Sequence, residues 1–332
     1  MKAPIKDPLV QPPEFWNHKG GIASVLEPVG RIYGAITSAR ASKTNVPRAA
    51  IPVLSIGGLT VGGSGKTPVT LSLTERLQDI GYKTAVILRG YGGSLKGPAH
   101  VDADVHTSLD VGDEALLHTS HGSTWVARKR IEGVNAAAAA GATIALLDDG
   151  HQHPGLHKDL RIVVIDGQNP WGNGYIFPAG PLRERVVDGL ARADTVVIMG
   201  EDRFNVAGQM PTHISLLKAS LVPDPLALSL RGQNVVAFAG IGNPQKFIAT
   251  LQEIGARIVA WHAFEDHQAF GAADIQPLLD EAFAIGAVPV TTAKDAVRLS
   301  PDQRQQVNVV SVATLWKDEA ALDAVLNRIV LS

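Results

Sequence analysis

The sequence predicts an α/β protein: a parallel-sheet core over residues 49–210, a second, smaller α/β domain over 211–332 closing a cleft upon it, and an N-terminal amphipathic segment over 1–48. Three observations carry this. The apolar run Ile51 to Ile56 empties through glycines into Lys66-Thr67; strand-like and helix-like stretches alternate from there to Met199, the order that builds a parallel sheet with right-handed crossovers; and the alternation restarts after Pro211. A chain of 332 residues is also longer than one core usually organises.

Composition narrows the function classes. The chain is 45% hydrophobic and 19% charged, with a net charge of −2, so no global basic field points to nucleic acid. Zero cysteines exclude disulfides, thiolate zinc sites and cysteine nucleophiles. The opening MKAPIKDPLVQPPEFW lacks the apolar centre of a signal peptide, and no run is apolar enough to span a bilayer, so the cytoplasm is the expected compartment.

Residues 1–13 are proline-rich and read as irregular. Beyond Phe15 and Trp16, the apolar residues Ile22, Val25, Leu26, Val29, Ile32, Tyr33 and Ile36 repeat at helical spacing, with Pro28 suited to a first helical turn. Between 14 and 48, five cations (Lys19, Arg31, Arg40, Lys43, Arg48) face two anions (Glu14, Glu27), a local excess of 5 − 2 = +3. Such a helix suits the headgroup layer of an anionic membrane, and equally the protein's own core.

Ile51 to Thr67, IPVLSIGGLTVGGSGKT, has the build of a phosphate-binding loop, which makes the core P-loop NTPase-like. Glycines let successive N–H groups face a phosphate, the next helix adds its positive N-terminus, Lys66 adds a point charge and the Thr67 hydroxyl suits Mg²⁺. The usual pattern places glycine where this chain has Thr60; the following Val61, Gly62, Gly63, Ser64, Gly65, Lys66 and Thr67 complete the candidate ATP-binding loop.

Pro68 to Ile80 then reads as a helix and Thr84 to Leu88 as a strand, after which Arg89-Gly-Tyr-Gly-Gly93 turns the chain away. Asp113-Glu114 opens another helix, and Ala127 to Ala140 forms one that carries Arg128, Lys129 and Arg130 at its start. The strand Thr143 to Leu147 runs straight into Asp148-Asp149, an acid placement that holds Mg²⁺ beside a phosphate loop directly or through water. The following His151, His153 and His157 lack acids at ligand spacing and make a weak metal signal.

Arg161 to Ile165 and Thr195 to Met199 read as strands separated by WGNGYIFPAGPLRERV, a long glycine- and proline-rich loop of the kind that usually has a function. In the second α/β set, strands are expected at Asn234 to Ala239, Arg257 to Trp261, Val288 to Thr291 and Val307 to Val312, with helices at Pro244 to Ile254 and Ala272 to Ile285. The amphipathic Leu322, Val325, Leu326 and Ile329 close the chain.

Taken together, PPEFWNHKGG, GGLTVGGSGKTPV, LRGYGG, VGDEA, LLDDGHQH, VIDGQNPWGNGYIFPAGPLRE, AGIGNP, FEDHQAF and TTAKDAVRL closely resemble the tetraacyldisaccharide 4′-kinases of lipid A biosynthesis, in the family's order and over nearly the whole chain. The family shares the threonine at Thr60; this chain departs from it at Ala293, where an acidic residue is expected before Lys294-Asp295. The resemblance implies an enzyme moving the γ-phosphate of ATP, with Mg²⁺, to the 4′-hydroxyl of an acylated glucosamine disaccharide 1-phosphate. It implies peripheral work on the cytoplasmic face of the inner membrane, with residues 15–40 giving access to lipid.

In that reading Gly62 to Lys66 hold phosphates, and Thr67 with Asp148 or Asp149 holds Mg²⁺, Glu184 being a further candidate ligand. The alcohol acceptor needs a base. Asp113 and His267 match the family's catalytic pair, while Arg130, Arg183 and Glu114 are candidate contacts to substrate or phosphate. Two other classes use such a loop. A nucleotide switch would carry N-K-x-D, whereas Thr292-Ala-Lys-Asp295 has its lysine one place too late; a soluble small-molecule kinase would bury the N-terminal helix.

Overall fold

A computed structural model describes residues 13–266 and 268–330. After a short 3₁₀ turn at Glu14–Trp16, the first domain is built from α1 (Gly21–Ala41), β1 (Val53–Gly57), α2 (Lys66–Asp79), β2 (Thr84–Leu88), β3 (Ala99–His100), α3 (Ser108–Val111), α4 (Asp113–Thr119), β4 (Ser123–Val126), α5 (Arg130–Ala139), β5 (Ile144–Leu147), β6 (Leu160–Asp166), α6 (Val186–Leu190), β7 (Thr195–Met199) and β8 (Ser215–Pro223). The second holds β9 (Asn234–Ala239), α7 (Pro244–Ile254), β10 (Arg257–Ala263), α8 (Ala272–Ala284), β11 (Val288–Thr292), α9 (Ala293–Ala296), α10 (Pro301–Gln305) and β12 (Asn308–Val310). The chain then returns as β13 (Val312–Trp316) and α11 (Glu319–Val330).

The large sheet runs β13-β8-β7-β6-β1-β5-β2-β4-β3. All pairings from β8 to β4 are parallel, and the two edge strands are antiparallel. Its central strands are buried along their whole length, as parallel strands covered on both faces must be; β1, β2, β5 and β7 are buried at every position. The smaller sheet runs β10-β9-β11-β12, all parallel.

The second domain is narrower than the sequence suggests. β8, β13 and α11 belong to the first domain: β8 and β13 pair along its sheet, and Leu322, Val325, Leu326 and Ile329 pack into its core. Two adjacent strands therefore join the domains. They meet where the Asp224 N–H donates to the Ser311 carbonyl at 3.0 Å.

Helix α1 begins at Gly21, so Pro28 lies inside it and not in its first turn. The helix docks through its small residues. A Cβ at Gly30 would meet the Ile176 carbonyl oxygen at 2.5 Å, so only glycine permits this approach, and one at Gly34 would press on the Ile176 side chain. The Trp16 indole N–H donates to the Pro178 carbonyl at 3.0 Å, and Trp16 and Tyr33 both meet the Phe177 ring edge-on. The stripe points elsewhere: Val25 is 78% exposed and Ile32 65%, with Ile22, Val29, Tyr33 and Ile36 also open. Placing the stripe in the protein's own core is thus ruled out by the packing. Among the described residues, no helix is long and apolar enough to cross a membrane.

Candidate active site

The loop between β1 and α2 curls through Gly62 (φ +110°) and Gly65 (φ +93°), left-handed positions that suit glycine. Gly65 is the N-cap of α2, so the unpaired N–H groups of the helix's first turn open into the loop. Thr60 instead forms an extended bridge with Leu182, and its neighbour Val61 donates N–H to the Pro181 carbonyl at 2.7 Å. Extended backbone accepts a β-branched residue, which is why glycine is not required at that position. The same stitching, completed by Arg183 N–H to the Leu59 carbonyl at 2.8 Å, carries Arg183 to the loop.

β5 lies beside β1, so its terminal acids fall next to the loop. Asp149 adopts φ +52°, a conformation that aspartate tolerates better than most residues and that aims its side chain back between two cations. The Arg183 guanidinium lies 2.8 Å from Asp149 Oδ2, and Lys66 Nζ lies 3.9 Å from Oδ1. Burial works against the charge of Asp149, but Lys66 and Arg183 outweigh it and hold the carboxyl below its usual range. Asp148 is buried and its Oδ2 contacts His118 Nε2 at 2.9 Å.

The free oxygens test whether Mg²⁺ fits. Asp148 Oδ1 and Asp149 Oδ1 are buried without a hydrogen-bond partner, as is Ser64 Oγ in the loop. Orphaned acceptors of this kind are uncommon unless a ligand completes them. Among the described residues no group of three His, Asp or Glu could by itself hold a metal. Mg²⁺ does not need one, since it is bound through one or two carboxylates plus phosphate oxygens and water. Thr67, Asp148 and Asp149 fit that donor set and line the same cleft.

That cleft, of about 2630 Å³, lies between the carboxyl ends of the two parallel sheets. The first domain contributes Gly62 to Thr67, Arg130, Arg183 and Glu114; the second contributes Gly242, Lys246, Asp266, Lys294 and Arg298. Asp113, 4% exposed, is the first residue of α4, where the helix N-terminus favours an acid. Its Oδ1 accepts the Glu114 N–H at 2.9 Å, and its Oδ2 lies 3.6 Å from Arg298 Nε. Burial, then Asp148, push the Glu114 carboxyl above its normal range. Arg130 is buried with its Nε unpaired, and burial lowers it to about 10 against the pull of Asp149 and Asp148.

Some expectations meet a different geometry. Glu184 departs from the expected metal ligand: it is 0% exposed, both oxygens accept from Arg192 at 2.6 and 2.7 Å, and Gln152 donates to Oε1 at 3.0 Å. It braces Gln152, which does line the cleft. His151 is structural; burial lowers it to about 3, so the neutral ring donates through Nε2 to the Gly189 carbonyl at 3.0 Å. Ala293 opens α9 on the cleft wall without disturbing Asp295, which Thr292 and Arg298 hold. His267 lies outside the described residues.

Sequence reasoning missed His118, Lys246 and Arg298. Lys246 crosses from α7 to bond the Gly63 carbonyl at 3.2 Å and Asp166 Oδ2 at 2.7 Å. Nothing local marks these residues, because each acts on a partner remote in sequence.

The comparisons with known proteins agree with this geometry. The family model described as tetraacyldisaccharide-1-P 4′-kinase matches residues 22–331. The tetraacyldisaccharide 4′-kinase of Rhodospirillum rubrum is 50% identical over 96% of this chain and 98% of its own, and that of Paramagnetospirillum magneticum 46% over the same shares. The crystal structure of LpxK from Aquifex aeolicus, described as an "apo" form in complex with ATP, superposes with a TM-score of 0.75 at 26% identity, covering 93% of this chain and 99% of that one. A phosphate loop, an adjoining pair of half-satisfied carboxylates and a match over nearly the full length lead to one conclusion: this chain belongs to the tetraacyldisaccharide 4′-kinase family.

Proposed function

We propose that the protein transfers the γ-phosphoryl group of ATP to the 4′-hydroxyl of an acylated glucosamine disaccharide 1-phosphate in lipid A biosynthesis. One observation carries the reading: Asp148 and Asp149 keep buried, unpartnered oxygens beside Lys66 and Thr67, in a cleft bordered also by the helix that Asp113 opens. The loop N–H groups and Lys66 bind and orient the phosphates, while Arg183 and Arg130 balance charge near the γ-phosphoryl. Mg²⁺, held by Thr67 and Asp148 or Asp149, would neutralise phosphate oxygens. The acceptor oxygen forms the new P–O bond as the bond to the β,γ-bridging oxygen breaks. Its proton passes to Asp113, and ADP leaves. His267 is proposed to share the acid–base work on the strength of the family motif.

We also propose that the protein sits peripherally on the cytoplasmic face of the inner membrane. The exposed Val25, Val29, Ile32 and Ile36 support this, as does the positive excess of residues 14–48. The deciding experiment supplies [γ-³²P]ATP and the disaccharide 1-phosphate precursor in detergent micelles. Label should appear on the lipid with wild-type protein and be lost with Lys66→Ala. Label on water alone, or on a soluble sugar in preference to the lipid, would refute the assignment.

A further inference from the structure

We propose that Arg298 is a positioning residue for Asp113, carried by the second domain and fixing the base only when the two domains are apposed. This rests on reading Asp113 as the base. The Arg298 side chain is 1% exposed and sits on the border between the domains. Most of its donors are spent within its own domain. One terminal nitrogen donates to the Gly240 carbonyl and to Asp295 Oδ1, both at 2.8 Å; the other donates to the Gln268 carbonyl at 2.9 Å. Phe270 stacks 5.2 Å from the guanidinium carbon.

These partners come from the end of β9, from the loop after β10 and from α9. A planar guanidinium with its bonds fixed in three directions cannot rotate unless several break together. Its remaining edge, Nε, reaches the Lys294 carbonyl only at 3.4 Å and lies 3.6 Å from Asp113 Oδ2 in the other domain. The other Asp113 oxygen accepts the Glu114 N–H of its own helix. The carboxylate is thereby oriented from both sides of the cleft.

The lengths divide the work. Asp295, fully buried, takes the short charge-assisted bond and is the structural partner. At 3.6 Å the Asp113 contact is too long for a full hydrogen bond and acts as a charge contact across the border between the domains. Opening the domains would withdraw the cation from the base. A proton acceptor completed only on closure protects ATP from transfer to water.

The test is a double-mutant cycle in the full-length kinase, reading kcat, the KM for ATP and Tm. Arg298→Gln should lower kcat about 100-fold, within the range for a misplaced base. Arg298→Lys, which keeps charge beside Asp295 but cannot reproduce the fork, should lower it about 10-fold. The KM for ATP should stay within about twofold in both. With Asp113→Asn in place, neither change should lower kcat further, because groups acting as one unit are not additive.

Equal losses with and without the Asp113→Asn substitution, a loss expressed as KM for ATP, or full kcat in Arg298→Lys would each overturn the proposal. If Arg298→Gln does not fold, Arg298→Lys carries the cycle alone. Full activity in Asp113→Asn by itself would instead refute the base assignment, which keeps the two failures apart.

Discussion

His118 Nε2 lies 2.9 Å from Asp148 Oδ2, with both side chains sealed from solvent. Helix α4 starts at Asp113 and reaches His118 in its last turn, so one short helix carries the proposed base at one end and braces the phosphate-side carboxylate at the other. His118→Ala should destabilise the fold by about 1–3 kcal/mol, the cost of leaving a buried polar partner unmade. It should also weaken cation binding about 10- to 100-fold, as loss of a ligand's supporting hydrogen bond does. Mn²⁺ titration with ADP, followed by electron paramagnetic resonance, reads the second effect without turnover. Wild-type Mn²⁺ affinity would mean that Asp148 needs no brace.

Lys66→Ala and Thr67→Ala should each lower kcat about 100-fold or more while leaving the fold intact, since both are only partly buried and face the cleft rather than the core. Lys66→Ala also removes the first cation that keeps the partly exposed Asp149 charged, so the Asp149 carboxyl should rise. Fluorescence binding of an ATP analogue, with circular dichroism to verify folding, separates lost chemistry from lost structure. Unchanged kcat in a folded variant would refute the loop's role.

What was legible in the sequence was local. The glycine loop, the strand ending in Asp148-Asp149 and the helix opened by Asp113 each occupy a few consecutive residues, and the structure brings all three to one cleft. The stretch Ser215–Pro223 was not legible as a strand. Its residues are mostly half-buried and do not alternate, because its neighbour on one side, β13, arrives almost a hundred residues later. That late return also moved the domain border. Arg298 was hidden for the same reason: its partners at 113, 240, 268 and 295 converge only in three dimensions.

Helix α1 offers two faces with opposite expectations. Ile32→Glu with Ile36→Glu changes only the exposed stripe, so Tm should hold while sedimentation with anionic liposomes falls at least about tenfold, as charge replaces buried apolar area. Gly34→Leu forces a side chain into Ile176, so it should loosen the helix and increase proteolysis between residues 14 and 42. Undiminished liposome binding by the double glutamate variant would remove the stripe from the membrane contact.

Lys158 gives the fold a pH dependence that is separable from the active site. It is buried, and its ammonium donates to the His151 carbonyl at 2.7 Å. Burial, helped by Arg161 and Arg192, lowers it from 10.5 to about 7, with Glu184 only partly opposing. The sign follows from proton counting. Between pH 7 and 10.5 the unfolded chain keeps the proton that the folded chain has released, so stability rises with pH through that window. Below it both states are protonated and the full cost of the buried charge remains. Lys158→Met keeps the stem's volume and removes the charge, so it should stabilise the protein most at about pH 6 and lose that advantage by about pH 10. Urea unfolding of both proteins across this range measures the difference directly. An advantage that stays constant with pH would show that Lys158 does not titrate in the fold, and that the methionine acts only through packing.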